Sequence, residues 1–260
     1  MVGEADARSV SAAKSVLGVL LAAVLGALAC NGAGPGWRVD GRGADEVTPD
    51  GLWPVRYGGF QRVWLEPDER FDGYTSVWIA PPKVSYERMP TARDRAVVRT
   101  GVRSDSPNVA LSAQQQADFR RYIVESFTSE LAKSRHFRLV DHPGEDTLVV
   151  APDIYDLVLL VPLAPLPGGR YMETSATAEM TLVLELRDGA TQRPLARVVE
   201  WRQAVTPGNT GAYGGHESVP AQNVSALRHT FDDWAWQLRV RLDDTREQAG
   251  RVTSAAAPGR

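Results

Sequence analysis

Between Ala176 and Asp188 the chain reads ATAEMTLVLELRD, with an apolar residue at every second position. Successive side chains of a strand point to opposite faces, so this period of two predicts a β-strand with one buried and one wet face. Ala178, Met180, Leu182, Leu184 and Leu186 fall on the core side. Thr177, Glu179, Thr181, Glu185 and Arg187 fall on the other. The GATQRP that follows has turn chemistry, and LARVVEWRQAV (195–205) is the expected antiparallel partner. A hairpin of this kind needs a cover over its apolar face.

Two segments can supply it. Ser112 and Gln115 stand at capping-box spacing, and Phe119, Ile123, Phe127 and Leu131 then recur as one helical stripe, with Arg120, Glu125 and Lys133 opposite. Leu227, Phe231, Trp234, Leu238 and Leu242 form a second stripe within residues 223–245. Further strands are predicted at YTSVWIA (74–80), closed by Pro81 and Pro82, at HFRLV (136–140), and at TLVVAPDIYDLVLLV (147–161), as one strand or two joined at Pro152. Residues 83–110 read as irregular, with Pro90, Gly101 and Pro107 as breakers. The order β-α-β-β-β-β-α predicts an α+β domain over residues 52–247, an antiparallel-rich sheet with two amphipathic helices packed on one face. Residues 248–260, QAGRVTSAAAPGR, read as a disordered tail.

Ahead of the domain, Val16–Ala29 is VLGVLLAAVLGALA, fourteen uncharged and almost wholly apolar residues. A membrane-spanning helix takes about 20, whereas a signal-peptide core is this short. Arg8 and Lys14 precede the run, and Cys30, the only cysteine, ends it. Ala27, Leu28 and Ala29 before Cys30 resemble the lipobox of bacterial lipoproteins, which prefers Leu three places before the cysteine; here Ala27 stands there. The resemblance implies removal of residues 1–29 as a signal peptide and lipidation at Cys30. Residues 30–51, rich in Gly, Pro and Asp, read as a flexible tether of about 20 to 25 residues, with a root-mean-square reach of roughly 25 Å. Asn31 is not the Asp that commonly marks inner-membrane retention in such lipoproteins, so the expected location is the periplasmic face of the outer membrane.

Chemistry is sparse in the sequence. A formal net charge of −3 and the lack of a basic stripe argue against a nucleic-acid partner. One cysteine makes neither an intramolecular disulfide nor a zinc knuckle. His136, His142, His216 and His229 are scattered, and none pairs with another at i, i+3 or i+4. His216-Glu217, in the glycine-rich stretch 207–220, is the best metal candidate and the basis of an alternative reading as an envelope hydrolase or metal-dependent enzyme. A solvated loop accounts for the same residues. Asp232-Asp233 and Asp243-Asp244 read as solvated helix faces rather than metal clamps, because adjacent helical residues diverge by about 100°. Asn223–Leu238 resembles the helix of outer-membrane-protein-A-like peptidoglycan-binding domains. The Asp and Arg on which those domains rely have no counterpart here, and the apolar stripe reads as core. No catalytic residue and no cofactor is assigned.

The segments YTSVWIAPPKV (74–84), SELAKSRHFRLVDHPGEDTLVV (129–150) and ATAEMTLVLELRDGATQRPLARVVEW (176–201) together resemble the bacterial lipoprotein family known as domain of unknown function 3313. Its recognisable features are F-x-L-V-D, PG-x-D-T-L and E-L-R-D…T-x-x-x-L-A-R. The resemblance brings no catalytic residues. The expected role follows from the anchor and the reach of the tether: binding or accessory, with membrane lipid through Cys30 and an envelope protein or peptidoglycan as partners, and a transport-accessory or peptidoglycan-binding subunit as the alternative.

Overall fold

The fold comes from a computed structural model that describes residues 46–56, 58–67, 71–87, 108–163, 173–174, 176–205, 216–217 and 219–256, with 173–174, 216–217 and 249–256 described by backbone alone. All belong to one compact unit, Pro35–Arg260. Its elements are β1 (Trp53–Pro54), β2 (Arg62–Leu65), β3 (Ser76–Ile79), β4 (Val84–Tyr86), α1 (Ala113–Leu131), β5 (Arg138–Leu139), β6 (Thr147–Leu159), β7 (Glu173–Thr174), β8 (Ala178–Asp188), β9 (Pro194–Ala204), β10 (His216–Glu217) and α2 (Pro220–Ala256).

The expected hairpin is the centre of an eight-stranded sheet. β8 and β9 pair antiparallel from Ala178↔Ala204 onward, and the sheet order is β1-β2-β9-β8-β6-β3-β5, with β4 also on β6. The fold is α+β, but the sheet is mixed rather than antiparallel-rich. β3, β4 and β5 enter through parallel pairings, β3 with both β5 and β6 and β4 with β6. The cause is the connection through α1: a helix between two strands returns the chain to its starting end, so the next strand runs the same way. Alternation within one strand carries no information about such a neighbour.

β6 is a single strand through Pro152. Ile154 N–H donates to Lys83 O, and Ala80 N–H donates to Val150 O, so this edge of β6 faces β3 and then β4. The amide hydrogen that Pro152 lacks falls between them, opposite the Pro81-Pro82 break, where no ladder bond is due. Further along, the register shifts between Tyr155 and Val158, and Asp156 takes a left-handed backbone (φ 53°). This bulge exchanges the faces. Leu148, Val150 and Ile154 reach the core before it, Leu157 and Leu159 after it.

Ser112 forms both halves of the capping box on α1: its hydroxyl accepts from Gln115 N–H at 3.2 Å, and its N–H donates to Gln115 Oε1 at 2.9 Å. The stripe Phe119, Ile123, Phe127 and Leu131 is fully buried, as are Leu227, Phe231, Trp234, Leu238 and Leu242 on α2. Both stripes join Ala178, Met180, Leu182, Leu184 and Leu186 of β8 in one cluster. Phe119 meets Phe231 edge-on, with centroids 5.2 Å apart and planes at 81°, a contact worth about 0.5–1.5 kcal/mol beyond its buried area.

Three segments differ from the sequence expectation. Val84–Tyr86 is a strand within a stretch read as irregular. α2 runs on to Ala256, past Gln248, where a tail was expected to begin. The chain is also tied down before residue 52: Trp64 Nε1 donates to Glu46 O at 3.0 Å, and Arg197 clasps the Asp50 carboxylate at 2.6 and 3.2 Å. Among the described residues, no helix is long and apolar enough to cross a membrane.

Candidate functional site: the open face of the sheet

Cys30 and its flank Ala27, Leu28 and Ala29 lie outside the described residues. His216 and Glu217 form β10, which pairs antiparallel with β7 through His216↔Thr174 and Glu217↔Glu173. The pair is therefore strand rather than the loop that the glycines suggest. Among the described residues no group of three or more His, Cys, Asp or Glu could hold a metal ion. His136 Nε2 is 3.7 Å from Glu247, and His229 Nε2 is 3.8 Å from Asp233, so the two belong to different local contacts.

One member of each acidic doublet of α2, Asp233 and Asp243, is tied to the fold, while Asp232 is exposed. Asp233 lies 3.5 Å from the Arg202 guanidinium, which also binds the buried Glu200 and sits 5.8 Å from the Trp234 ring centre. Asp243, itself buried, accepts from the Ser134 hydroxyl at the end of α1 and lies 3.6 Å from Arg239. Burial pushes the Asp244 carboxyl up, and Glu247 and Asp243 add to the effect against the pull of Arg241. Asn223 fixes the start of α2 by donating from Nδ2 to Pro162 O at 3.0 Å. The helix that resembles a peptidoglycan-binding element thus turns its apolar stripe into the core.

What remains is the face of the sheet opposite that core cluster. Residues directly opposite in an antiparallel ladder share a face, so the register places Tyr155, Thr181 and Trp201 side by side across β6, β8 and β9. Adjacent strands are about 4.8 Å apart, which sets Tyr155 and Trp201 about 10 Å apart. Their side-by-side row is open: Tyr155 is 41% and Trp201 47% exposed. Val205, of the same parity as Trp201 and just past the end of β9, is 40% exposed. Gln61 steadies this corner, donating from Nε2 to Trp201 O and accepting from Trp201 N–H, both at 3.0 Å. A side-chain amide thereby continues the β2–β9 ladder by one rung.

Four residues nearer the hairpin turn, the same face carries an ion network. Arg197 donates to Glu185 Oε1 from Nε at 3.0 Å while holding Asp50, and Arg187 Nε donates to Glu185 Oε2 at 2.8 Å. Burial alone would raise the Glu185 carboxyl, but hydrogen bonds from Arg187 and Arg197 outweigh it and hold it below the usual range. Asp50 is likewise held down by Thr48 and Arg197 against its own burial. These charges satisfy one another: Arg187 and Arg197 both bind Glu185, and Arg197 also holds Asp50. Trp201 was not marked by the sequence: in LARVVEWRQAV it shares its parity with Leu195, Val199 and Val205, while the parity that reaches the core carries Glu200 and Arg202. Tyr155 was hidden, because only the bulge tells its face from that of Leu157.

The family profile of protein of unknown function DUF3313 matches residues 49–238. The chain belongs to that family. No curated protein sequence matches it. Among solved structures it is similar to protein XCC0632 from Xanthomonas campestris, of the family DUF330, at 13% identity and a TM-score of 0.36, over 68% of this chain and 89% of that one. It is also similar to a PelC dodecamer from Paraburkholderia phytofirmans, at 8% identity and a TM-score of 0.32, over 64% and 88%. At these scores neither likeness bears on function. Two of the sequence patterns that carry the resemblance have a structural reason in this chain. PG-x-D-T-L and E-L-R-D meet at Gly189, whose N–H donates to Thr147 O at 2.9 Å while Thr147 N–H donates to Gly144 O at 3.2 Å.

Proposed function

We propose that this chain is a lipoprotein of the bacterial cell envelope, anchored through Cys30 to the outer membrane and facing the periplasm. Its α+β domain serves a binding or accessory role rather than a catalytic one. The observation that carries this reading is the fourteen-residue apolar run Val16–Ala29 closing directly on Cys30, with NGAGPGWRVDG after it. The run is too short to span a bilayer and the right length for a signal core. Three acyl chains on one N-terminal cysteine hold a domain essentially permanently, whereas one chain is marginal. The face through Tyr155 and Trp201, with Glu185, Arg187, Arg197 and Asp50 tied to one another, supports contact over chemistry.

The test is metabolic labelling with radioactive palmitate in cells. The wild-type chain takes up label and sediments with membranes. Cys30→Ser takes up none and loses processing at Ala29. A Cys30→Ser chain that keeps its label, or a wild-type chain without any, refutes the anchor.

A further inference from the structure

We infer that the open face of the sheet, through Tyr155, Trp201 and Val205, docks on the phospholipid surface to which the chain is anchored. The inference rests on the proposed lipidation of Cys30. Among the described residues four large apolar side chains are exposed, Tyr155, Trp201, Val205 and Trp236. Three of them share this face; Trp236 lies on α2.

The chain enters the domain on the same face. Glu46 and Asp50 are held there by Trp64 of β2 and Arg197 of β9. Trp64 and Arg197 are themselves cross-strand neighbours, and Arg197 precedes Trp201 by four residues on the same side of β9, about 14 Å away. Cys30 lies 16 positions before Glu46. A random coil of that length has a root-mean-square reach of about 20–24 Å, close to the roughly 17 Å radius of gyration of a domain of this size. A lipid at its end keeps this face near the bilayer more than the helical side, at a high effective concentration.

The composition of the face favours lipid over protein. The core of a protein interface is depleted of charge. Here each exposed apolar group sits among ionic and polar ones: Arg62, Arg187 and Arg197 against Asp50, Asp153, Glu179 and Glu185, with Gln203 Nε2 on Glu179 at 2.9 Å. Tyr and Trp with charges of both signs around them match the headgroup layer, where amphipathic rings collect. Three arginines against four carboxylates leave no net positive charge on the face, so docking needs no anionic lipid.

The full-length processed protein is reconstituted into phosphatidylcholine vesicles, with and without phosphatidylglycerol, whose acyl chains carry bromine near the headgroup. Tryptophan quenching is read for wild type, Trp201→Phe and Tyr155→Ser, and the mass of the mature N-terminus is measured in parallel. Docking predicts quenching in the wild type that is equal in both lipids. Trp201→Phe loses roughly half or more of it, and Tyr155→Ser weakens it with Trp201 still present. A lipid-bearing protein whose quenching is the same in wild type and Trp201→Phe overturns the docking and leaves the anchor standing. A mature chain without lipid refutes the anchor, and bromolipid quenching of Trp201 in that chain still upholds the docking. A Trp201 signal that ignores bromolipid and responds to isolated peptidoglycan assigns the face to a glycan partner and overturns the proposal.

Discussion

Gly189→Ala is the sharpest test of how the sheet is joined. A Cβ built on Gly189 would lie 2.3 Å from Gly144 O and 2.6 Å from Thr147 O, both backbone atoms, and 3.1 Å from Thr147 Cβ. A carbon–oxygen contact needs more than 3 Å, so one of the two turns must move by nearly 1 Å. The same shift strains the Gly189 N–H bond to Thr147 O and disturbs Asp188, which accepts from the Tyr74 hydroxyl at 2.9 Å and from Thr191 N–H at 2.7 Å. Overpacking costs about 1–3 kcal/mol and one weakened backbone hydrogen bond about 1 kcal/mol. The expected loss is therefore about 2–4 kcal/mol. Gly144→Ala is the control, since its Cβ would meet only Thr147 Oγ1 at 3.6 Å, an ordinary contact, and the expected loss is under about 1 kcal/mol. Urea unfolding followed by far-UV circular dichroism measures both. A Gly189→Ala chain within about 0.5 kcal/mol of wild type, or one no weaker than Gly144→Ala, refutes the close approach of the two turns.

A double-mutant cycle over Phe119→Leu and Phe231→Leu should return a coupling of about 0.5–1.5 kcal/mol, as the edge-on geometry implies; additive losses would count against that contact. Glu185, Asp50 and Asp188 are held below their usual range by their partners. The stability they contribute is fully present above the unfolded pKa values of about 3.9 to 4.3 and is lost as pH falls through the lower folded values. Urea midpoints from pH 7 to pH 3 should therefore drop more steeply for wild type than for Glu185→Gln. Asp156 holds φ 53° in the bulge, so Asp156→Val should cost about 1–3 kcal/mol, while Asp156→Gly should be neutral or gain a little thermal stability. Equal melting temperatures for the two variants would contradict the bulge.

The sequence carried the local elements because their causes are local. The capping box of Ser112 and Gln115, the stripe from Phe119 to Leu131 and the alternation from Ala178 to Leu186 each need only neighbours in the chain. The parallel pairings of β3, β4 and β5 were illegible because each strand is too short to show a period, and its partner is chosen by where a helix returns the chain. Arg197 and Asp50 stand 147 residues apart, so no spacing rule couples them. Of the open face neither aromatic was legible: Trp201 shares its parity with Leu195, Val199 and Val205, and Tyr155 precedes a change of face at one left-handed residue, Asp156, that no period marks. The anchor is the reverse case. Cys30 is a matter of sequence pattern alone, with nothing in the described fold that bears on it.

The two regions this chain depends on are separated along the strands. The joint of the family motifs, at Thr147 and Gly189, lies at the hairpin end of β8, with Asp188 opposite Leu148. Thr181, between Tyr155 and Trp201, is seven residues further along the same strand, about 24 Å away. Perturbations that far apart with no shared partner add independently. Gly189→Ala should therefore lower stability yet leave Trp201 quenching unchanged at temperatures where the domain is folded, and Trp201→Phe should do the opposite. If Gly189→Ala in the folded state also abolished contact of Trp201 with lipid, the face would not be a rigid surface. Docking would then need the strands to move, and the joint would belong to function as much as to folding. Independence of the two variants instead assigns the family motifs to the frame and the membrane contact to residues outside those motifs, Tyr155 and Trp201 on the open face.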